Sequence, residues 1–165
     1  MWTGGGAFRF LRLGETVFDD RGRINPAVRF ATLAAFIWQQ DTHTALDLAA
    51  SRPGTPHIGT HYAFNSDSGN EYAGYSQFDP LKQVGTAYYL LYNGILGDKR
   101  PASGNVLTRE VLAALLELHR LVLADAPEGA ELDLVVYGEA CRLGEERLKQ
   151  AKVTFKHIPY DVRAR

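Results

Sequence analysis

This chain is short of the residues that cross-link small proteins or hold metals. It has one cysteine, Cys141, in 165 residues. A single thiol cannot build an internal disulfide framework, and it suits a reducing compartment. The five histidines show no close paired spacing with one another or with Cys141. Even the group His43, His57 and His61 lacks a nearby ligand pattern, so no metal site is expected. Charge of one sign is missing too. Lys and Arg number 18 against 19 Asp and Glu, a formal net charge of −1. No global field draws in nucleic acid or anionic lipid, so a DNA contact would need a local basic patch or basic surface from another polypeptide. No uncharged stretch is long enough to span a bilayer. The opening "MWTGGGAFRF" lacks the apolar segment of a secretory signal. These absences predict a cytoplasmic protein with no membrane partner.

What is present describes one domain over residues 1–165. Hydrophobic residues make up 45% and charged residues 22%, enough for a real core in a chain of this length. "AFRFLRLGETVFDDRGRI" (7–24) reads as a strand and turn. In "NPAVRFATLAAFIWQQD", Asn25 reads as an N-cap and Pro26 as the first helical residue. Phe30, Leu33, Ala34, Ile37 and Trp38 supply the buried face of that helix. "HIGTHYAF" reads as a short strand inside a segment, 51–85, whose Gly, Ser, Asn and Tyr content predicts a long loop or insertion. The second half alternates regularly. "TAYYLLYN" (86–93), "LDLVVYG" and "VTFKHIP" read as strands. "LTREVLAALLELHRLVLADA" (107–126) reads as a helix capped by Thr108, with Val111, Leu112, Leu115, Leu118 and Val122 as its apolar stripe. "RLGEERLKQA" reads as a shorter helix. Strand, helix, strand, helix, strand predicts an α/β fold: a mainly parallel sheet with helices on its faces and a Rossmann-like three-strand C-terminal half.

In such a sheet, ligands collect at the C-terminal ends of the strands. The loops expected there carry Asn93, Asp98, Lys99, Arg100, Ser103 and Asn105, then Glu139, Cys141 and Arg142, then Tyr160 and Asp161. Asn93, Asp98, Asn105, Glu139, Cys141 and Arg142 are therefore the candidate cleft residues. Cys141, Gly144 and Arg147 have the Cys-x-x-Gly-x-x-Arg spacing of a cysteine-dependent phosphatase loop, the alternative function for this chain. That chemistry needs backbone N–H groups and an Arg around a phosphate, whose field also lowers the thiol pKa. Glu145 and Glu146 would repel a dianion there, and Ala140 offers no help to a thiolate. The competing reading is a small packed Cys at a strand–helix corner.

Two long stretches, "GGGAFRFLRLGETVFDDRGRINPAVRFATLAAFIW" and "YYLLYNGILGDKRPASGNVLTREVL" with its continuation "VVYGEACRLGEERLKQAKVTFKHIPYDVRAR", point elsewhere. They resemble the C-terminal region of bacterial site-specific adenine DNA methyltransferases of the type III modification-subunit kind. The resemblance implies DNA methylation with S-adenosylmethionine in a restriction-modification or related defence system. It brings no catalytic residue with it. The family's Asp- or Asn-Pro-Pro-aromatic motif is approached only by Asp79-Pro80-Leu81, and its glycine-rich cofactor motif lies upstream of the resembling segment. The chain is thus expected to be an accessory C-terminal domain or fragment with no cofactor of its own, serving DNA positioning or subunit interaction. Its expected partners are the remainder of the methyltransferase or restriction-modification complex and, second, DNA. Arg9, Arg12, Arg21, Arg23, Lys99 and Arg100 are the cations most able to meet phosphates. Tyr62, Phe64, Tyr72, Tyr75 and Phe78 could stack on an extruded base or bury a partner surface.

Overall fold

Residues 87 to 92 alternate between two apolar surfaces, and that alternation organises the architecture. Tyr88, Leu90 and Tyr92 face one hydrophobic cluster, and Ala87, Tyr89 and Leu91 face the other. A strand apolar on both faces must be covered on both, as in parallel sheets carrying crossover helices. The computed structural model describes residues 16–47, 54–62 and 84–158. In it, β1 (His57–Tyr62), β2 (Val84–Leu90), β4 (Glu131–Gly138) and β6 (Val153–His157) form one sheet in the order β1-β2-β4-β6. β2, β4 and β6 are parallel, and β1 pairs antiparallel with β2. A two-stranded parallel ribbon, β3 (Val106–Leu107) with β5 (Ala140–Cys141), extends the same end of the sheet. The expected α/β sheet, mainly parallel and flanked by helices, is therefore present. Four of the expected strands fall on β1, β2, β4 and β6. Of the strand and turn expected over 7–24, residues 16–24 hold only a turn closed by the Phe18–Ile24 bridge, and 7–15 lie outside the described residues, as do 51–53 and 63–83 of the expected 51–85 loop or insertion. The order advances in one direction, so no reversal between described strands creates a nucleotide crevice.

Helix α2 (Arg109–Ala124) joins β2 to β4, and α3 (Glu145–Gln150) joins β4 to β6. Both pack on the same sheet face through Leu112, Leu115, Val122 and Leu148. The Thr108 hydroxyl accepts the Val111 N–H at 3.3 Å, so the expected cap starts α2. Each fully buried Leu or Val on this stripe contributes about 1.5–3 kcal/mol.

Helix α1 (Phe30–Thr42) covers the opposite face with Leu33, Ala34, Ile37 and Trp38. Trp38 lies directly on Gly59 of β1; a Cβ there would stand 2.9 Å from the indole ring. Asp41 anchors the end of α1 by accepting from Tyr137 Oη at 2.9 Å and Lys156 Nζ at 2.6 Å. The expected start at Asn25 and Pro26 is corrected. Arg29 is the N-cap and helix begins at Phe30. Asn25 instead belongs to the preceding hairpin, where Phe18 bridges Ile24. It donates to Thr16 and Val17 carbonyls, while its Oδ1 accepts the Ala27 N–H. Those tertiary bonds outweigh its use as a helix cap.

His119 on α2 meets Tyr89 Oη through Nδ1 at 3.0 Å. Burial pushes its imidazole below the ordinary value of 6.5. The unfolded chain therefore takes up this proton first as pH falls, and stability is full above about 6.5 and lost below it. The urea midpoint should fall between about pH 7.5 and about pH 5.5, and His119→Gln should flatten that decline. Parallel pH profiles for the two proteins would remove His119 from the account.

Candidate functional site

β2 and β4 end side by side, and the chain after β2 loops out and back before α2. Leu91 N–H still bonds Tyr137 O at 2.7 Å, and Glu139 N–H bonds Asn105 O at 2.8 Å. Four of the expected cleft residues meet here. Glu139 is 2% exposed and Asn105 fully buried. Glu139 Oε1 accepts the Gly97 N–H at 2.6 Å, and Oε2 accepts from Asn105 Nδ2 at 3.4 Å. Asn105 Nδ2 also donates to Ile95 O at 2.8 Å, while its Oδ1 accepts the Asn93 N–H at 2.6 Å. Asn93 in turn bonds Ile95 N–H, Ser103 O and Asp98. Buried polar groups must find partners, and here each partner lies within the same loop or on the adjoining strand end. Gly138 lets the loop approach: a Cβ there would stand 3.0 Å from Asn105 O and 3.2 Å from the Phe155 ring.

The expected cations are arranged differently from the cleft groups. Arg100 makes a two-pronged pair with Asp98, at 2.8 and 2.7 Å. The Arg100 guanidinium beside it holds the Asp98 carboxyl well below the usual carboxylate range. Arg100 nonetheless leaves 80% of its side chain exposed, and Lys99 beside it is also exposed. Arg23 pairs with Asp19 at 2.7 Å across the first hairpin, where Arg21 is exposed. The four described candidate cations lie on two separate elements. Two sit on the hairpin and two on the β2–α2 loop, while Arg9 and Arg12 lie outside the described residues. So do Tyr160, Asp161, the Asp79-Pro80-Leu81 stretch and every candidate stacking aromatic except Tyr62, which ends β1.

Cys141 sits on β5, half-buried, and packs against the α2-side cluster. Its Sγ accepts the Leu143 N–H at 3.4 Å. Gly144 and Arg147 face a different space, a cavity of about 260 Å³ that they line with Arg109, Arg142 and Leu143. Cys141 does not line that cavity. Sequence reasoning named Arg142 and Arg147 separately and missed Arg109. The parallel pairing Leu107↔Cys141 is what brings the start of α2 to the β5–α3 turn.

A larger hollow of about 520 Å³ lies at the same sheet end, lined by Phe30, Pro56, Leu90, Tyr92 and Val111 among others, none of them charged. Its Tyr92 hydroxyl is taken by Val28 O at 3.0 Å. Among the described residues no group of His, Cys, Asp or Glu is placed to hold a metal ion, and no helix is long and apolar enough to cross a membrane. No protein-family model, curated protein or solved structure matches the chain.

The Glu139 carboxylate is the centre of the loop network. In Glu139→Gln an amide N–H₂ must face one of the two donors, leaving a buried group unpaired. The expected loss is about 1–3 kcal/mol, read as a lower urea midpoint with faster proteolysis in residues 93–105. An unchanged midpoint would show that the carboxylate does not hold the loop.

Proposed function

We propose that this chain is a non-catalytic, accessory part of a bacterial site-specific adenine DNA methyltransferase of the restriction-modification or a related defence kind. Acting in the cytoplasm, it holds DNA or a subunit of the complex in place. One observation carries the reading: the carboxylate and amide groups at the ends of the parallel strands are consumed in shaping a loop. The second of the two stretches that bear the methyltransferase resemblance supplies that unit together with its continuation. Asn93, Asp98 and Asn105 come from "YYLLYNGILGDKRPASGNVLTREVL", and Glu139 from "VVYGEACRLGEERLKQAKVTFKHIPYDVRAR". A shared structural unit is what two neighbouring parts of one domain would build.

S-adenosylmethionine belongs to the parent enzyme in this reading. A nucleoside cofactor in an α/β sheet rests its ribose hydroxyls on a carboxylate near a strand end. The two carboxylates here do not fit that task. Glu139 is engaged by Gly97 and Asn105, and Asp98 by Arg100 and Asn93. Calorimetric titration of the chain with S-adenosylmethionine is therefore expected to show no binding at about micromolar concentrations, near −8 kcal/mol. Micromolar binding would overturn the accessory reading.

Subunit contact has its own support. Leu121 and Leu123 are 49% and 41% exposed on α2, and exposed apolar surface favours protein interfaces. Leu121→Glu with Leu123→Glu should weaken co-purification with the rest of the methyltransferase by tenfold or more, about 1.4 kcal/mol. Equal recovery would exclude this end of α2 from the contact.

A further inference from the structure

We propose that the cavity between Arg109, Arg142 and Arg147 binds a phosphodiester of a nucleic-acid backbone. This deepens the accessory reading by naming the contact through which DNA would be held.

Three arginines from two helices and a turn line one cavity of about 260 Å³. None of the three makes an ion pair with a described residue, unlike Arg23, Arg100, Arg120 and Lys156. No acid lines the cavity, although Arg109 is coupled electrostatically to the neighbouring Glu110; cations brought together repel one another, and an anion in the cavity reverses that repulsion. Arg109 is also the first residue of α2. A cation there opposes the helix dipole, so helix stability does not account for it. Arg142 is fixed by its own backbone, whose N–H bonds Leu107 O at 2.9 Å. The cavity is several times the roughly 30 Å³ share of one water, which leaves room for a phosphate group. Guanidinium is the side chain best shaped for phosphate oxygens, which it meets as a planar fork.

The surroundings temper the charge of the cavity. Glu110 opens α2 beside Arg109, and Glu145 and Glu146 open α3. None of them lines the cavity, but their field lowers its positive potential and so lessens the gain from a second negative charge on the ligand. A singly charged diester is the ligand proposed, and the monoester and free phosphate are the alternatives the test separates from it. Because arginine stays protonated throughout, the contact does not fade as pH rises.

The test uses the full chain and three probes: a labelled mixed-sequence duplex with 5′-hydroxyl ends, adenosine monophosphate and inorganic phosphate. At about 50 mM salt the duplex should bind, and log affinity should fall with log salt by about 0.9 for each phosphate contact. Changing Arg109, Arg142 and Arg147 together to Gln should weaken the duplex at least tenfold and flatten that slope. All three side chains are exposed, and circular dichroism would check folding. Arg142→Gln alone, expected to lower affinity several-fold, serves if the triple variant unfolds. The triple Lys variant should keep most of the salt slope while losing affinity, a split that a merely structural role would not produce. No duplex binding by the wild type, or equal affinity and slope in the Gln variant, would overturn the proposal. Tighter binding of the monophosphate or inorganic phosphate than of the duplex would reassign the cavity to free phosphates. Binding of S-adenosylmethionine would sink the accessory reading while leaving the phosphate site standing.

Discussion

A carboxylate removed from water must be given donors by the protein, and at Glu139 those donors decide what the end of the sheet displays. Desolvating such a group is costly unless hydrogen bonds replace its water. Gly97 and Asn105 do so from the far side of a long loop. The loop is drawn down onto β4, Asn105 is turned to face Asn93, and β3 is laid beside β5. The β3–β5 pairing then sets the start of α2 against the turn into α3, which is how three arginines separated in sequence come to surround one cavity. Remove the buried charge and each later step loses its reference point.

The same constraint separates scaffold from surface. Polar side chains at strand ends are the usual candidates for chemistry, yet here Asn93, Asp98, Asn105 and Glu139 mostly satisfy one another. The groups facing outward include five cations, Lys99 and Arg100 on the loop and Arg109, Arg142 and Arg147 at the cavity, with Glu110, Glu145 and Glu146 exposed beside them. A chain whose formal charge is −1 can thus line one cavity with cations alone. The acids nearby are either buried in the loop, as Glu139 is, or exposed in the first turns of helices, where the dipole favours them.

How much of this could be read from the sequence follows from how local each feature is. α2 was legible because its cap and stripe lie within one helix: Thr108 is followed by Leu112, Leu115 and Val122 at helical spacing. β2 and β4 were legible from short apolar runs between turn residues. Asn25 misled because its partners, Thr16 and Val17, lie across a hairpin that no periodicity announces. Glu139 could be placed at a strand end, but its donors come from residues 97 and 105, so a cleft residue and a scaffold residue look alike in one dimension. Arg109 gave no signal at all. Its importance arises only once Leu107 is paired with Cys141.

The spacing of the parallel pairs has a kinetic consequence. Leu134↔Val153 joins β4 to β6 across 19 residues, whereas Val84↔Glu131 joins β2 to β4 across 47. Closing the longer loop costs about 0.8 kcal/mol more chain entropy on the logarithmic length dependence. The β4–α3–β6 unit is therefore the cheaper one to nucleate, and docking of β2 through α2 is the later event. Asn93 and Asn105 arrive with β2, so the Glu139 carboxylate has no partners until that docking is complete. The polar end of the sheet is then the last part to be set and the first to open. Local fluctuations that expose the buried carboxylate would concentrate there while the strands beneath stay paired.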